Sequence, residues 1–269
     1  MTFTPADHVF ALCAYGESPY LEECLQSLES QEVKTRIILA TSTPSAYLEK
    51  ITEKHGVPLY VNPEKKGIGA DWNYALKMAG GKLTTIAHQD DLYEPGYTER
   101  MLADLNQAKD PILWFCDYAE LRNGETVTDN RNLKIKQIML MPLRARALQG
   151  SRFIRRRILS LGSPIGCPAV TYVQEKVGEN PFSTEMKVSL DWDQWERLSR
   201  KRGDFVYCRN CLMSHRIHGD SATTALIADN ARNREDLEMF QRFWPEGIAR
   251  FLAGRYAKSE DSNELTDSK

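Results

Sequence analysis

The sequence predicts an α/β fold in which a Rossmann-like, mostly parallel central sheet is flanked by helices, with a smaller second region and a C-terminal helix. Three observations predict it. Short apolar runs bounded by turn residues alternate with helix-period segments through the first 107 residues, the mark of repeated βα units. The β-rich run Leu83–Ala87 stops abruptly at two adjacent carboxylates, Asp90 and Asp91, with Pro95 soon after. Beyond Gln107 the rhythm gives way to an aromatic strand, Ile112–Tyr118, and a turn at Asn123-Gly124 of the kind that closes hairpins.

The elements follow in order. His8–Ala14 reads as a buried strand, and Pro19–Ser30 as a helix with Leu21, Cys24, Leu25 and Leu28 on one face. Arg36–Ala40 is the second strand. A helix over Ser45–His55 is stopped by Gly56-Val57-Pro58, and Leu59–Val61 is a short third strand. After the loop Asn62–Gly67 a helix spans Gly69–Met78 and ends at Gly80-Gly81. Leu83–Ala87 is the fourth strand and Gly96–Gln107 the next helix. Two helices fit between Leu143 and Leu161, a strand at Ala169–Val173, a helix over Asp191–Arg202, and strands at Phe205–Cys208 and Leu212–His215. One long helix is expected from Ala222 to Leu252, then a polar tail without periodicity.

Composition bounds the function. With 269 residues, 42% hydrophobic and 27% charged, the chain can bury a substantial core. A net charge of −2 argues against a dedicated nucleic-acid binder. Basic residues do cluster, at Arg144–Arg157 and Arg197–Arg202, where they can form solvated helix faces or meet phosphates or an anionic membrane. No apolar stretch is long enough for a transmembrane segment, and the first residues lack the pattern of a secretory signal, so a cytoplasmic protein is expected. Of six cysteines only Cys208 and Cys211 have metal or redox spacing, and no second pair completes a zinc site.

Asp90 and Asp91 are the sharpest chemical signal. Acids at the C-terminal end of a strand lie where open α/β sheets place ligands. Like charges at about 4 Å repel by roughly 4 kcal/mol at an effective dielectric of about 20, so something cationic belongs with them. Oxygen ligands suit Mg2+ or Mn2+, which usually also hold a phosphate. The structural alternative is that Asp91 caps the following helix.

Several segments in order resemble the family 2 glycosyltransferases, which have the GT-A fold. Ala14–Gln31 looks like the family's opening strand-turn-helix, and Gly67-Ile-Gly-Ala-Asp-Trp-Asn73 like its glycine-led turn. His88-Gln-Asp-Asp91 occupies the place of the metal-binding Asp-x-Asp. Asp191-Trp-Asp-Gln-Trp-Glu-Arg-Leu198 resembles the segment bearing the catalytic base, and His215–Ser221 the late Arg-x-His motif. The resemblance implies a nucleotide-sugar-binding half over 1–118, an acceptor-binding and catalytic half over 119–222, a C-terminal helical segment over 223–256 and a disordered tail over 257–269, all within one continuous catalytic domain.

It further implies an inverting transfer of a sugar from a nucleotide-sugar donor, UDP-linked first, to a saccharide or lipid-linked saccharide acceptor in surface glycan biosynthesis, with peripheral membrane association. A divalent cation, Mn2+ or Mg2+, would be held by Asp90, with Asp91 and His218 as further ligands. Asp191 would be the base and Asp193 its rival, one residue beyond Trp192 and on another face of the helix. Ala14, Tyr15, Glu17, Thr41, Ser42, Gly67, Asn73, His88, Gln89 and Arg216 would bind the donor. Trp192 and Trp195 can pack the helix or stack on a sugar. Three departures stand out. His88 replaces the first acid of the metal motif, Thr41-Ser42 stands where many members have an acidic pair after the second strand, and Trp72 stands where arginine is common. A non-catalytic nucleotide-sugar-binding relative, or a sugar-phosphate nucleotidylyltransferase, are the competing readings. The latter would need a glycine-rich basic loop that Tyr15–Pro19 is not.

Overall fold

The computed structural model describes residues 2–64, 66–218 and 231–264. Nine strands form one sheet: β1 (His8–Ala14), β2 (Arg36–Thr41), β3 (Leu59–Val61), β4 (Leu83–His88), β5 (Leu92–Tyr93), β6 (Pro111–Arg122), β7 (Glu125–Val127), β8 (Val170–Val173) and β9 (Asp204–Ile217). Their order is β3-β2-β1-β4-β8-β6-β9-β5, with β7 on β6. The first four strands are parallel. β8 runs antiparallel to both β4 and β6, while β6 and β9 form a long parallel pair.

This order decides where a ligand goes. The chain builds β1, β2 and β3 outward, then returns to lay β4 on the other side of β1, so the strand order reverses between β1 and β4. A crevice opens at the carboxyl ends of strands around such a reversal. There the registers pair Cys13 with His88 and Ala14 with Thr41.

Alternation on the central strands fills both faces of the sheet. Phe10 and Leu12 of β1 join Leu25, Met101 and Trp114 in one cluster, under α1 (Leu21–Glu29) and α4 (Tyr97–Gln107). Phe115 and Tyr172 join Trp192, Trp195 and Phe240 in the other. That second face is covered by α7 (Arg152–Leu159), α9 (Leu190–Ser199) and the helices near the C-terminus.

Local signals set most boundaries. Ser45 caps α2 (Ala46–His55) by accepting from the Leu48 amide, and Gly56 ends it at φ 63°. α3 (Ile68–Ala79) starts at Gly67, whose φ of 91° favours glycine. At Gly69 a side chain would collide with the Ser183 carbonyl.

Three expectations need correction. Phe205–Cys208 and Leu212–His215 are one strand, β9. Arg209 and Asn210 form a bulge in it, because Cys116 pairs with Cys208 and the next residue, Asp117, with Cys211. A helix unseen in the sequence, α5 (Arg131–Leu140), is capped by Asn130, which accepts from the Leu133 amide at 2.9 Å; the short α6 (Arg146–Gln149) precedes α7. The single helix expected over Ala222–Leu252 lies partly outside the described residues. Within them it is two, α10 (Ala231–Gln241) and α11 (Glu246–Glu264), because Pro245 breaks the ladder. α11 runs on to Glu264, into the stretch 257–269 expected to be disordered. α8 (Gln174–Val177) completes the helices among the described residues.

Candidate active site

The turn after β4 places the two acids differently. Asp91 is fully buried, and its Oδ1 accepts from His215 Nδ1 at 2.9 Å and from the Arg216 amide at 3.0 Å. Burial opposes its charge, but His215, His88 and the Arg216 amide outweigh burial and hold the carboxyl below its ordinary range. Burial likewise opposes charge on His215, and Asp91 outweighs it, raising the imidazole's pKa. Asp91 therefore anchors β9 to the end of β4. It caps no helix: the residue preceding α4 is Gly96. Its Oδ2 has no hydrogen bond and lies 3.7 Å from His88 Nδ1.

Asp90 is partly exposed. Its Oδ1 accepts from Ser18 Oγ at 2.6 Å, and its Oδ2 lies 3.2 Å from His218 Nε2. Among the described residues no three His, Cys, Asp or Glu side chains form a ready metal cage. Mg2+ and Mn2+ do not need one, since such ions commonly take one or two carboxylates and complete their shell with phosphate oxygens and water. The half-exposed Asp90 carboxylate, with His218 beside it and the unpartnered Asp91 oxygen behind, fits that donor set.

Arg216 is spoken for. Its Nη2 donates to Glu23 at 2.6 Å, its Nε donates to the Asp90 carbonyl at 2.9 Å, and its guanidinium lies 4.2 Å from the centre of the Tyr20 ring. Its charge supports the Asp90 turn rather than standing free for a diphosphate. His88 stacks on Trp72 with rings 5.2 Å apart and 18° from parallel, and burial lowers its pKa. Its Nε2 is buried without a hydrogen bond.

The residues expected at the nucleotide divide into open and closed. Ala14 ends β1, buried; Tyr15 beside it is 71% exposed. The Gln89 amide clamps the Tyr15 backbone, accepting from its N–H at 3.1 Å and donating to its carbonyl at 3.0 Å, so Gln89 positions the loop and leaves the ring free. Glu17 is exposed. Thr41 and Ser42 are buried, the first bonded to Thr43 and the second donating to Asp71 at 2.8 Å. Both hydroxyls, expected to bind the donor, are turned inward onto these neighbours. The Asn73 amide exchanges two hydrogen bonds of 2.9 Å with the Phe182 backbone and braces that loop. Asp71, which the sequence reading passed over inside a quoted motif, is held by Ser42 and by Asn62 at 2.8 Å. It stands near the end of β1, where its charge reaches Cys13.

On α9 the two candidate bases part company. Asp193 is buried and bound by Arg197 at 2.5 Å and Arg242 at 2.5 Å, a structural ion pair. Asp191 forms no ion pair among the described residues; its Oδ1 accepts only the Trp192 amide. Burial pushes its carboxyl up to about 6, against the pull of Lys136 and Arg232. Lys136 of α5 donates to the Tyr118 hydroxyl at 2.7 Å, and its charge reaches both Asp191 and His215. No sequence signal marked Lys136, because α5 itself was not expected. Trp192 and Trp195 are buried, which settles them as packing residues. Upstream of α9, Glu235 of α10 accepts from the amides of Lys187, Val188 and Ser189 at 2.8–3.0 Å and fixes the approach to the helix. A separate cavity of about 880 Å³, walled by Arg144, Tyr207 and Arg209 among others, contains none of the candidate donor residues.

The family model described as "Glycosyl transferase family 2" matches residues 10–177. The chain belongs to this family. Its match ends before α9, so the acid-bearing helix lies outside the matched region. A stretch of 121 residues, 43% of the chain, is 27% identical to the putative glycosyltransferase EpsH of Bacillus subtilis (strain 168). That stretch spans 34% of EpsH. Among solved structures, S. aureus TarS 1-349 in complex with UDP-GlcNAc is 15% identical, with 93% of this chain and 71% of that one covered at a TM-score of 0.62. The mannosyltransferase PcManGT from Pyrobaculum calidifontis, in complex with GDP-Man and Mn2+, is 13% identical, with 95% and 75% covered at a TM-score of 0.63. At these identities the likeness establishes the GT-A fold.

Proposed function

We propose that this family 2 member is an inverting glycosyltransferase that moves a sugar from a UDP-linked donor to a saccharide or lipid-linked saccharide during surface glycan synthesis. It works in the cytoplasm, at the inner face of the membrane. The observation that carries the reading is Asp191. It is an acid without an ion pair among the described residues, raised by burial to about 6, and its charge reaches Cys167 as that of Asp91 does. A carboxylate poised near neutrality suits general-base work and typically contributes about 10²–10⁴-fold.

In this reaction Asp191 takes the proton of an acceptor hydroxyl. The freed oxygen attacks the anomeric carbon from the face opposite the donor phosphate. The carbon–oxygen bond to the diphosphate breaks, and its electron pair leaves with the nucleotide, so configuration inverts in one step. Asp90 and His218 would hold Mn2+ or Mg2+. Such an ion supplies positive charge where the departing diphosphate gains negative charge. Tyr15 stacks on the base. Asp71 takes the place of the acidic pair absent after β2 and accepts an imide N–H, which favours uracil.

A melting screen against UDP- and GDP-linked sugars, with and without Mn2+, tests this. Ligand at about 100 times its dissociation constant stabilises by about 2.7 kcal/mol. A shift with UDP-sugars that requires the metal is expected. No shift with any nucleotide sugar, together with no release of free sugar, would remove the proposal.

A further inference from the structure

Between Arg131 and Leu161 the chain carries nine Lys and Arg and no Asp or Glu, so with a net charge of −2 overall the remainder stands at −11. This segment forms α5, α6 and α7. The same segment, with α11, carries most of the large apolar side chains left in solvent among the described residues. Phe153 is 74% exposed, Phe251 66% and Ile138 61%, with Met141, Leu161 and Ile248 about half exposed.

These helices adjoin. Arg157 of α7 stacks on Trp244, just before α11, and Gly162 after α7 lies against Tyr256 of α11. Lys136 of α5 is within electrostatic reach of the same Tyr256. Each helix also separates its faces. On α5, Arg131, Lys134, Ile135 and Ile138 recur at three- and four-residue spacing on the exposed side, while Leu133 and Leu140 are buried and Lys136 turns to Tyr118. On α7, Phe153 and Arg157 lie outward and Arg155 inward; on α11, Ile248, Phe251 and Arg255 lie outward and Ala249 inward. Arg131, Arg144 and Arg152 have no ion pair among the described residues.

Exposed bulky apolar groups interleaved with unpaired cations match the headgroup–acyl boundary of an anionic bilayer. There the apolar groups sink in and the arginines meet phosphates. A second copy of this chain fits less well, because the surface would set its cations against one another. We infer that the surface formed by α5, α6, α7 and α11 docks on a bilayer rich in anionic phospholipid. This deepens the acceptor half of the proposed function and rests on it for its purpose: α5 carries Lys136, whose charge reaches Asp191, so docking sets the base near a lipid-linked acceptor.

The test is co-sedimentation of the full chain with phosphatidylcholine vesicles, with and without phosphatidylglycerol. Wild type should pellet with the anionic vesicles alone and be released by high salt. The double variant Phe153→Ser, Phe251→Ser should partition about tenfold less, with unchanged melting temperature and donor hydrolysis. Arg131→Glu with Arg152→Glu should do the same. Wild type left in the supernatant, equal pelleting of the phenylalanine variant, or solution dimers that this variant dissolves would each overturn the inference. Vesicle binding without donor turnover would instead strike the glycosyl-transfer reading and leave the docking surface standing.

Discussion

His215 and Asp91, 124 residues apart in sequence, are joined by a 2.9 Å hydrogen bond that ties the far end of β9 to the turn where β4 stops. The Arg216 amide binds the same oxygen. One carboxylate is thus buried and holds β9 in place, while its neighbour Asp90 stays partly exposed. Asp91→Ala should cost about 3–5 kcal/mol of stability, as removal of one member of a buried pair does. Asp90→Ala should leave the melting temperature within a degree or two and abolish metal-dependent donor turnover. Denaturant unfolding of both variants checks the contrast, and equal stability losses would refute it.

Asp191→Asn should slow transfer by at least about 10²-fold while donor binding persists. In the wild type kcat should fall as pH drops through about 6, since the carboxylate must be ionised to act. The stability effect has the opposite sign. A raised carboxyl costs the fold nothing below its ordinary value of 3.8 and its full amount above about 6. At neutral pH the variant should therefore be more stable, by on the order of 1–3 kcal/mol. A slower but unstabilised variant would mean that burial is not what raises this acid.

Lys136→Met should move the acid limb of the rate profile to higher pH, because the ammonium favours the ionised form of Asp191. A merely structural lysine would change the rate without moving the limb. The pH profile of kcat, taken at saturating acceptor, distinguishes the two.

His88→Asp should place a second carboxylate within reach of the buried Asp91 oxygen. At about 4 Å the repulsion is roughly 4 kcal/mol for an effective dielectric of about 20. Without metal the variant should melt lower than wild type, and Mn2+ should restore more stability to it than to the wild type. Equal response to Mn2+ in both proteins would show that His88 lies outside the reach of the ion.

The sequence was most legible where a pattern is local. β1 and β3 begin and end where their apolar runs do, and α2 obeys its Ser45 and Gly56 caps. α5 escaped notice because Ile135 and Ile138 point to solvent and leave a weak apolar face. β9 read as two strands because Arg209 and Asn210 break the alternation while the ladder runs on. Pro245 divides the last helical stretch in two. In the site, motifs drew attention to Asp90 and Asp191 as residues. What distinguishes each from its neighbour is a distant partner: Ser18 for Asp90, His215 for Asp91, Arg242 for Asp193. Contacts of that kind are set by topology, and no spacing along the chain encodes them.

Glu235 gathers three consecutive amides just ahead of the helix that bears Asp191, so that acid is placed with the help of a residue more than forty positions downstream. In the proposed reaction, nucleotide recognition and proton removal rest on separable stretches of polypeptide. Replacing the final helices with those of a relative would redirect chemistry toward a different hydroxyl while sparing affinity for the nucleotide, a route to new linkages that leaves the parallel strands untouched.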